Sequence, residues 1–255
     1  SGSQSNLIEI LQERVHSFFA EGKVEEAQRV AQTALDAARR AVDSDPSKRG
    51  QLIATLETLG DISLHFGDSE AAEALYCEAI EYLHMDGGED VQVARIESSL
   101  AGLYDFGQRE EEAIPLYEDA IELFESADPP MPLEAANLRN NLAMIYKGAG
   151  EDEKAEKHYL ASINSFEEVH GHESEEVASV YNNLGALYYQ SGHQEQAREI
   201  HLSALEIRRS LFGDNHPEVG QSHSNVALVY HALGDAESCQ HNFEKSIKIL
   251  EGHAA

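Results

Sequence analysis

The segment NNLGALY, residues 182–188, has close copies elsewhere in this chain of 255 residues. The copy NNLAMIY begins at Asn140 and the copy SNVALVY begins at Ser224, so neighbouring copies are 42 residues apart. Weaker copies are SSLAGLY, from Ser98, and ETLGDIS, from Glu57. A fixed period of this length is typical of repeat proteins, in which each repeat forms one supersecondary unit.

A second marker follows each copy, nine residues after its last position. It consists of a small residue, then an aromatic residue or His four positions later, then another small residue three positions further on. The sets are Ala72-Tyr76-Ala79, Ala113-Tyr117-Ala120, Ala155-Tyr159-Ser162, Ala197-His201-Ala204 and Cys239-Phe243-Ser246, with an N-terminal copy at Ala27, Ala31 and Ala34. These offsets share one helical face, where small residues let another helix approach closely. The two markers together predict six helix pairs.

A glycine is expected in the turn inside each pair, because Gly tolerates the left-handed backbone that commonly ends a helix. The candidates are Gly22, Gly67, Gly107, Gly150, Gly192 and Gly234. Gly107 lies one position earlier in its repeat than the others do. We therefore expect the third turn to differ from the rest.

These markers resemble the tetratricopeptide repeat family: the first marker matches its first helix and the second marker its second helix. The usual repeat has about 34 residues. The longer period is similar to that of kinesin light chain and its bacterial relatives, as are LFGDNHPEV at 211–219 and EAIPLY at 112–117. The resemblance implies an all-α fold, a right-handed superhelical solenoid of about six antiparallel helix pairs.

The predicted units span about 5–46, 50–90, 91–132, 133–174, 175–216 and 217–252, within a single solenoid domain at 5–255. Residues 1–4 are expected to be an expression scar or disordered. The first unit carries Arg14 and Val15 in place of Leu-Gly, which also allows a capping helix pair. The segment DPPMP at 128–132 is the sharpest break in the pattern. We interpret it as a rigid loop between repeats rather than a domain boundary, because the period continues across it.

The charge balance excludes two classes of partner. The net charge is −29, from 47 acidic residues against 18 Lys and Arg. Such a chain is poorly suited to nucleic acid or to an anionic membrane surface, and it lacks an apolar run of about 18 residues. Cys77 and Cys239 are too far apart in sequence for a typical zinc motif, and we expect two reduced thiols. These features predict a cytoplasmic protein without a metal or other cofactor.

In the tetratricopeptide family the first helix of each pair lines a concave surface, and its inward positions can be counted from the Leu of the first marker. We predict that a partner peptide contacts Asn137, Asn140, Asn141, Met144 and Lys147 in unit four, Ser179, Asn182, Asn183, Tyr189 and Gln190 in unit five, and Asn225, Leu228 and His231 in unit six. No inward position of these three units is acidic, whereas Glu57, Asp61 and Asp105 occupy such positions in units two and three.

An Asn side chain both donates and accepts hydrogen bonds, so it can satisfy the backbone of an extended peptide. The column Asn141, Asn183 and Asn225 is similar to the Asn residues with which tetratricopeptide proteins hold a ligand backbone. The sequence thus predicts a protein-protein interaction scaffold that binds an extended segment of another protein on its concave face. Cations are few there, essentially Lys147 with Arg139 beside it, which argues against a clamp for a C-terminal carboxylate.

Three other interpretations stay open. The same Asn residues would also serve as hydrogen bonds between adjacent first helices, which fix the superhelical twist. The chain would alternatively be a self-assembly module that forms homo-oligomers through its C-terminal end, near Ile247, Ile249 and Leu250. A small-molecule sensor or an enzyme is the most distant alternative, because no nucleophile, phosphate-loop or metal motif is present. We expect no enzymatic activity.

Overall fold

The computed structural model describes the backbone of residues 2–86 and 90–254, which form twelve α-helices, one 3₁₀ turn at Pro46–Lys48 and no β-strand. The helices are α1 (Gly2–Ala20), α2 (Val24–Ser44), α3 (Arg49–His65), α4 (Ser69–Asp86), α5 (Asp90–Phe106), α6 (Glu110–Ser126), α7 (Pro132–Gly148), α8 (Asp152–His170), α9 (Glu175–Gln190), α10 (Gln194–Phe212), α11 (Pro217–Leu233) and α12 (Ala236–Ala254). Each odd-numbered helix packs on the helix that follows it, so the six predicted pairs and the all-α repeat fold are confirmed. Helix α1 begins at Gly2, so it includes residues 2–4.

The chain divides into two compact units, Ser1–Asp128 and Pro129–Ala255. Each unit holds three helix pairs: α1 to α6 in the first unit and α7 to α12 in the second. The division falls within the DPPMP segment, where the sequence analysis expected a loop inside one continuous domain.

Close packing inside a pair depends on the small residue of the first marker. A Cβ atom added to Gly60 would lie 2.6 Å from Cε1 of Tyr76, and one added to Gly185 would lie 2.7 Å from the imidazole of His201. Both aromatic side chains are buried. The ring of the second helix thus occupies the space that a side chain on the first helix would need, as the two markers predicted.

In each unit, a Tyr that ends a first marker joins two neighbouring pairs. The hydroxyl group of Tyr104 donates to Glu73 on α4 at 3.0 Å, and that of Tyr188 donates to Glu156 on α8 at 2.5 Å. Burial, followed by the Glu156 contact, raises the pKa of Tyr188 to about 12. Tyr104 and Tyr188 therefore each link a first helix to the second helix of the preceding pair, which is a structural role.

The third turn differs from the others, as its displaced glycine predicted. Gly22, Gly67, Gly150, Gly192 and Gly234 all have positive φ angles between 74° and 84°. In the third turn the left-handed position falls on Gln108, with a φ of 59°, the one non-Gly residue with positive φ in the described chain. A side chain in this conformation is strained, since Cβ approaches the following carbonyl oxygen.

Candidate functional site

The first helices of the second unit carry the predicted binding residues. Three rows run across α7, α9 and α11: Asn141, Asn183 and Asn225; Met144, Ala186 and Leu228; and Lys147, Tyr189 and His231. All nine side chains are exposed or half-buried, and so are Asn137, Asn140, Ser179, Asn182 and Gln190. We call this set the amide surface. Counting from the marker Leu thus identified one continuous accessible side of the second unit.

Several of its amides bond to one another between neighbouring helices. Nδ2 of Asn183 on α9 donates to Oδ1 of Asn140 on α7 at 3.0 Å. The amides of Asn182 on α9 and Asn225 on α11 meet at 3.3 Å. Bonds of this kind fix the spacing of the three first helices, which is the structural role that the sequence analysis left open for the Asn residues.

Asn182 is additionally committed to a buried network. With its amide oxygen facing α10, the oxygen accepts from Nη1 of Arg208 at 2.8 Å and the nitrogen donates to Nδ1 of His201 at 3.2 Å. Arg208 is itself buried, donates to the hydroxyl group of Ser222 at 3.1 Å and pairs with Glu218 at 2.8 Å. Asn182 therefore has a structural role, and few of its hydrogen-bonding groups remain available to a ligand.

Asn141 differs from the other Asn residues of the amide surface, because its side chain makes no hydrogen bond to a described residue. Beside it lies Met144, whose Sδ atom is 3.9 Å from Nδ2 of Asn183. Met144 and Leu228 are 46% and 45% exposed. The amide surface therefore combines a free amide with two exposed apolar side chains.

Charge on this surface is sparse. Lys147 is half-buried at the C-terminal end of α7 and forms no ion pair within the described chain. Burial lowers the pKa of its ammonium group. His231 and Gln190 are exposed at the same end of α11 and α9, and Tyr189 is half-buried. An unpaired, partly desolvated cation favours a carboxylate partner.

A depression of about 210 Å³ brings three predicted residues together at the opposite end of the helices. Asn137, Asn140 and Ser179 line it, together with Phe166, Val180 and the acidic pair Glu175 and Glu176. This acidic pair was not predicted from the sequence, because the family pattern places it outside the inward positions. Acidic residues in the first turn of a helix usually signal only a favourable interaction with the helix dipole.

The acidic first-helix positions of the first unit are mostly engaged internally. Glu57 accepts from Nε of Arg95 at 2.6 Å, and Asp61 accepts from the hydroxyl group of Tyr76 at 2.6 Å. Asp105 is half-buried, and burial followed by the proximity of Glu110 raises the pKa of its carboxyl group. The first unit thus offers a partner less free negative charge than its sequence suggested.

The residues that the structure describes hold neither a metal cluster nor a membrane-spanning helix. No cluster of three His, Cys, Asp or Glu side chains there has the arrangement of a metal site. Among the helices described, none combines the length and the apolar character needed to cross a membrane.

A family model described as tetratricopeptide repeat matches residues 134–210 and 195–252, which lie within the second unit. A search of curated proteins gave no match. Among solved structures, BtubC (BKLC) from P. vanneervenii is 32% identical, with a TM-score of 0.73, and the match covers 88% of this chain and 90% of that one.

Two more distant structures share the fold. A putative kinesin light chain of Podospora anserina, with nearly identical TPR-like repeats, is 17% identical, with a TM-score of 0.67 and coverage of 79% of this chain and 96% of that one. The Rap conjugation gene regulator of the plasmid pLS20, solved in complex with the Phr* peptide, is 15% identical, with a TM-score of 0.58 and coverage of 98% and 76%.

Proposed function

The chain belongs to the tetratricopeptide repeat family, and on that premise we propose that it is a protein-interaction scaffold whose amide surface binds an extended peptide segment of a partner protein. The observation that carries the proposal is the composition of that surface. Amides, two exposed apolar side chains and one unpaired cation line three adjacent helices in a chain of net charge −29.

The chemistry of an extended peptide matches this composition. Its backbone presents unpaired N–H and C=O groups, and Asn141 has both a donor and an acceptor to offer. Met144 and Leu228 supply apolar contact for alternate side chains of such a segment, with Met able to adapt to varied shapes. Lys147 adds a site for a carboxylate. The hydrogen bond between Asn140 and Asn183 holds α7 and α9 in place before a ligand arrives, which lowers the entropic cost of binding.

A comparison supports the same class of ligand. The pLS20 regulator, which shares the fold, was solved with a peptide bound. That protein is too distant for its residues to be transferred, so the site proposed here depends on the amide surface itself.

The proposal is tested by selecting peptides from a display library against the full chain and measuring their dissociation constants. In a first variant, Met144→Glu with Leu228→Glu places charge on the amide surface without removing any hydrogen bond between two amides. We expect it to weaken selected peptides by at least about tenfold, because apolar contacts are replaced by desolvated carboxylates.

A matched control places the same two charges elsewhere in the second unit. Leu160 on α8 and Leu202 on α10 are 43% and 36% exposed, so Leu160→Glu with Leu202→Glu resembles the first variant in exposure and charge. Circular dichroism checks that both variants fold. Peptide affinities that fall equally in both variants, or in neither, would be incompatible with a site on the amide surface.

We propose self-assembly as a second candidate, with a second copy of this chain on the outer side of α12. Phe243, Ile247 and Leu250 there are 36% to 53% exposed. The equivalent residues one and two repeats earlier are at most 8% exposed. They are His201, Leu205 and Arg208 on α10, and Tyr159, Ile163 and Phe166 on α8. In those two repeats the helix pair that follows packs on the second helix, α9 on α8 and α11 on α10. Leu7 and Ile10 of α1 are 47% and 52% exposed and would offer a first-helix partner.

Sedimentation velocity over a range of concentrations tests this second candidate. Self-association should rise with concentration for the wild type and for Leu160→Glu, and it should be lost in Ile247→Glu. A wild-type chain that stays monomeric up to about 100 μM rules it out, because association follows mass action and should be detectable at that concentration.

A further inference from the structure

A second depression, of about 220 Å³, lies in the second unit where α10, the loop before α11, α11 and α12 meet. It is lined by Arg209, Asp214, Asn215, His223, Lys245, Lys248 and Ile249. We call it the basic depression. None of its residues belongs to the amide surface, so the peptide proposal leaves it unexplained.

Its charge is opposite to that of the protein. Three of the 18 Lys and Arg residues converge here, in a chain that carries 47 acidic residues. Arg209 donates from Nε to Asp214 at 2.6 Å, which leaves its other guanidinium nitrogens available. Neither Lys245 nor Lys248 forms an ion pair with any residue that the structure describes. Asp214 is thus the one acidic residue of the lining against three cations.

The preceding repeat shows that the scaffold does not need these cations. The equivalents 42 positions earlier are Glu167 for Arg209, Ser203 for Lys245, Glu206 for Lys248 and Tyr181 for His223. There Glu167 accepts from the hydroxyl group of Tyr181 at 3.3 Å and lies 2.7 Å from Nδ1 of His172. The same architecture therefore forms with acidic residues, and the basic set requires an explanation of its own.

His223 provides a polar wall whose hydrogen bonding is fixed. It is 5% exposed, and its Nδ1 lies 2.8 Å from Oδ1 of Asn242. Nδ2 of Asn242 donates to the carbonyl oxygen of Ser238, so its Oδ1 faces the imidazole and accepts from Nδ1–H. Burial lowers the pKa of His223, and the hydrogen bond with Asn242 opposes this effect. The charges of Lys245, Arg209 and His241 lower the pKa further. A change of charge inside the depression should therefore change the pKa of the His223 ring.

We propose that the basic depression binds a phosphate monoester group or inorganic phosphate, held by Lys245, Lys248 and the free nitrogens of Arg209. Ammonium and guanidinium donors form charge-assisted hydrogen bonds with phosphate oxygens. The volume suits a group of that size. The local cations also offset the long-range repulsion that a chain of net charge −29 exerts on an anion.

The test is a titration of the full chain with inorganic phosphate and, in a separate arm, with N-acetyl-phosphoserine amide. Chloride keeps the ionic strength constant, and NMR follows the His223 ring protons, assigned with a His223→Gln variant. Saturable binding of either compound supports the proposal, together with a rise in the pKa of His223 as the added anion offsets the nearby cations. Tighter binding of the phosphoserine compound would identify a modified side chain as the source of the phosphate. Equal binding would identify a small free anion.

Two variants locate the binding. Lys245→Ser with Lys248→Glu installs the residues of the preceding repeat, which that repeat shows to be compatible with the fold. It should weaken both compounds by at least about tenfold, because two charge-assisted contacts are lost. Lys157→Glu on α8, an exposed residue outside the depression, should change affinity by less than about twofold.

The proposal is overturned if neither compound binds at about 20 mM, the range of a weak single-anion contact, or if the double variant binds as the wild type does. A loss of affinity in Lys157→Glu as large as in the double variant would also overturn it, since binding would then follow total charge. Peptide binding to the amide surface is measured separately with the same proteins, so the failure of one site does not decide the other.

Discussion

Gln108 is the residue at which the backbone of the first unit is most visibly strained. Its φ of 59° lies in the left-handed region that glycine occupies in the other five turns inside helix pairs, because Gly107 occupies the preceding position. The side chain is exposed, so it contributes little packing that would compensate. The strain follows from a shift of one position between a repeat and its turn glycine.

We predict that Gln108→Gly stabilises the chain by about 0.5–1 kcal/mol, because relief of the left-handed strain outweighs the greater freedom of glycine in the unfolded state. Urea denaturation measures the change. The reciprocal variant Gly150→Gln, at a φ of 75°, should destabilise by about 1 kcal/mol. A destabilised Gln108→Gly variant would contradict this account of the turn.

Glu97 on α5 is a second unfavourable residue. Its side chain is 5% exposed and its Oε2 atom has no hydrogen-bond partner in the described structure. Burial, with a smaller contribution from Asp119, raises the pKa of Glu97 to about 7. The folded state therefore retains a proton that the unfolded state loses near pH 4.5, and stability falls as pH rises between these values.

Glu97→Gln should accordingly be more stable than the wild type at pH 8, by about 1–3 kcal/mol, and the difference should vanish below about pH 4.5. Thermal denaturation across this pH range, with the exposed Glu13→Gln as a control, checks the prediction. A constant difference at all pH values would show that burial does not suppress ionisation of this carboxyl group.

At the scale of elements, polar contacts join two neighbouring helix pairs of the second unit at a position that is apolar in an earlier repeat. Arg208 links α10 to Ser222 and Glu218 of α11 and faces Asn182 of α9. Its equivalent 42 residues earlier is Phe166, a buried aromatic side chain. One scaffold thus accepts either a ring or a hydrogen-bonded guanidinium group at the same interface.

Because Arg208 is buried, Arg208→Ala should destabilise the chain by about 2–4 kcal/mol, since Glu218 and Ser222 lose their partner and a cavity remains. Arg209→Ala is the matched comparison. That residue is 48% exposed in its ion pair, so its loss should cost less than about 1 kcal/mol. Equal effects in urea denaturation would contradict the role assigned to the buried network.

The repeat markers predicted these elements well, because each marker follows a packing requirement. Gly60 and Gly185 had to be small for a ring to lie beside them, and the displaced Gly107 correctly predicted an altered turn. The accessibility of the amide surface was also predictable by counting along the helix. The pairing of Asn140 with Asn183 was left open, because an amide suits a ligand and a neighbouring helix equally well.

The basic depression could not be found in the same way. Its residues come from two helix pairs and the loop between them, and the period assigns each one to an unrelated position. In a sequence this acidic, Arg209, Lys245 and Lys248 do not stand out as a group, because they are not adjacent along the chain. A comparison of successive repeats, Glu167 with Arg209 and Glu206 with Lys248, is the signal that would have identified it.

At the scale of the whole molecule, the net charge of −29 is a destabilising influence through self-repulsion. We predict that raising NaCl from about 10 to about 300 mM increases the melting temperature by about 2–5 °C, because screening shortens the range of that repulsion. Differential scanning calorimetry measures it. A melting temperature that falls over this range would mean that favourable ion pairs outweigh the repulsion.

Peptide binding by the amide surface is the central claim, and the methionines offer a direct test of it. The chain has three: Met144 on the surface, Met131 in the loop before α7, and Met85 in the first unit, which is 73% exposed. Methyl-labelled methionine therefore gives three NMR signals, which single Met→Leu variants assign. On titration with a selected peptide, the Met144 signal should shift in proportion to binding while the Met85 signal stays in place. A peptide that binds and leaves the Met144 signal unchanged would contradict the account.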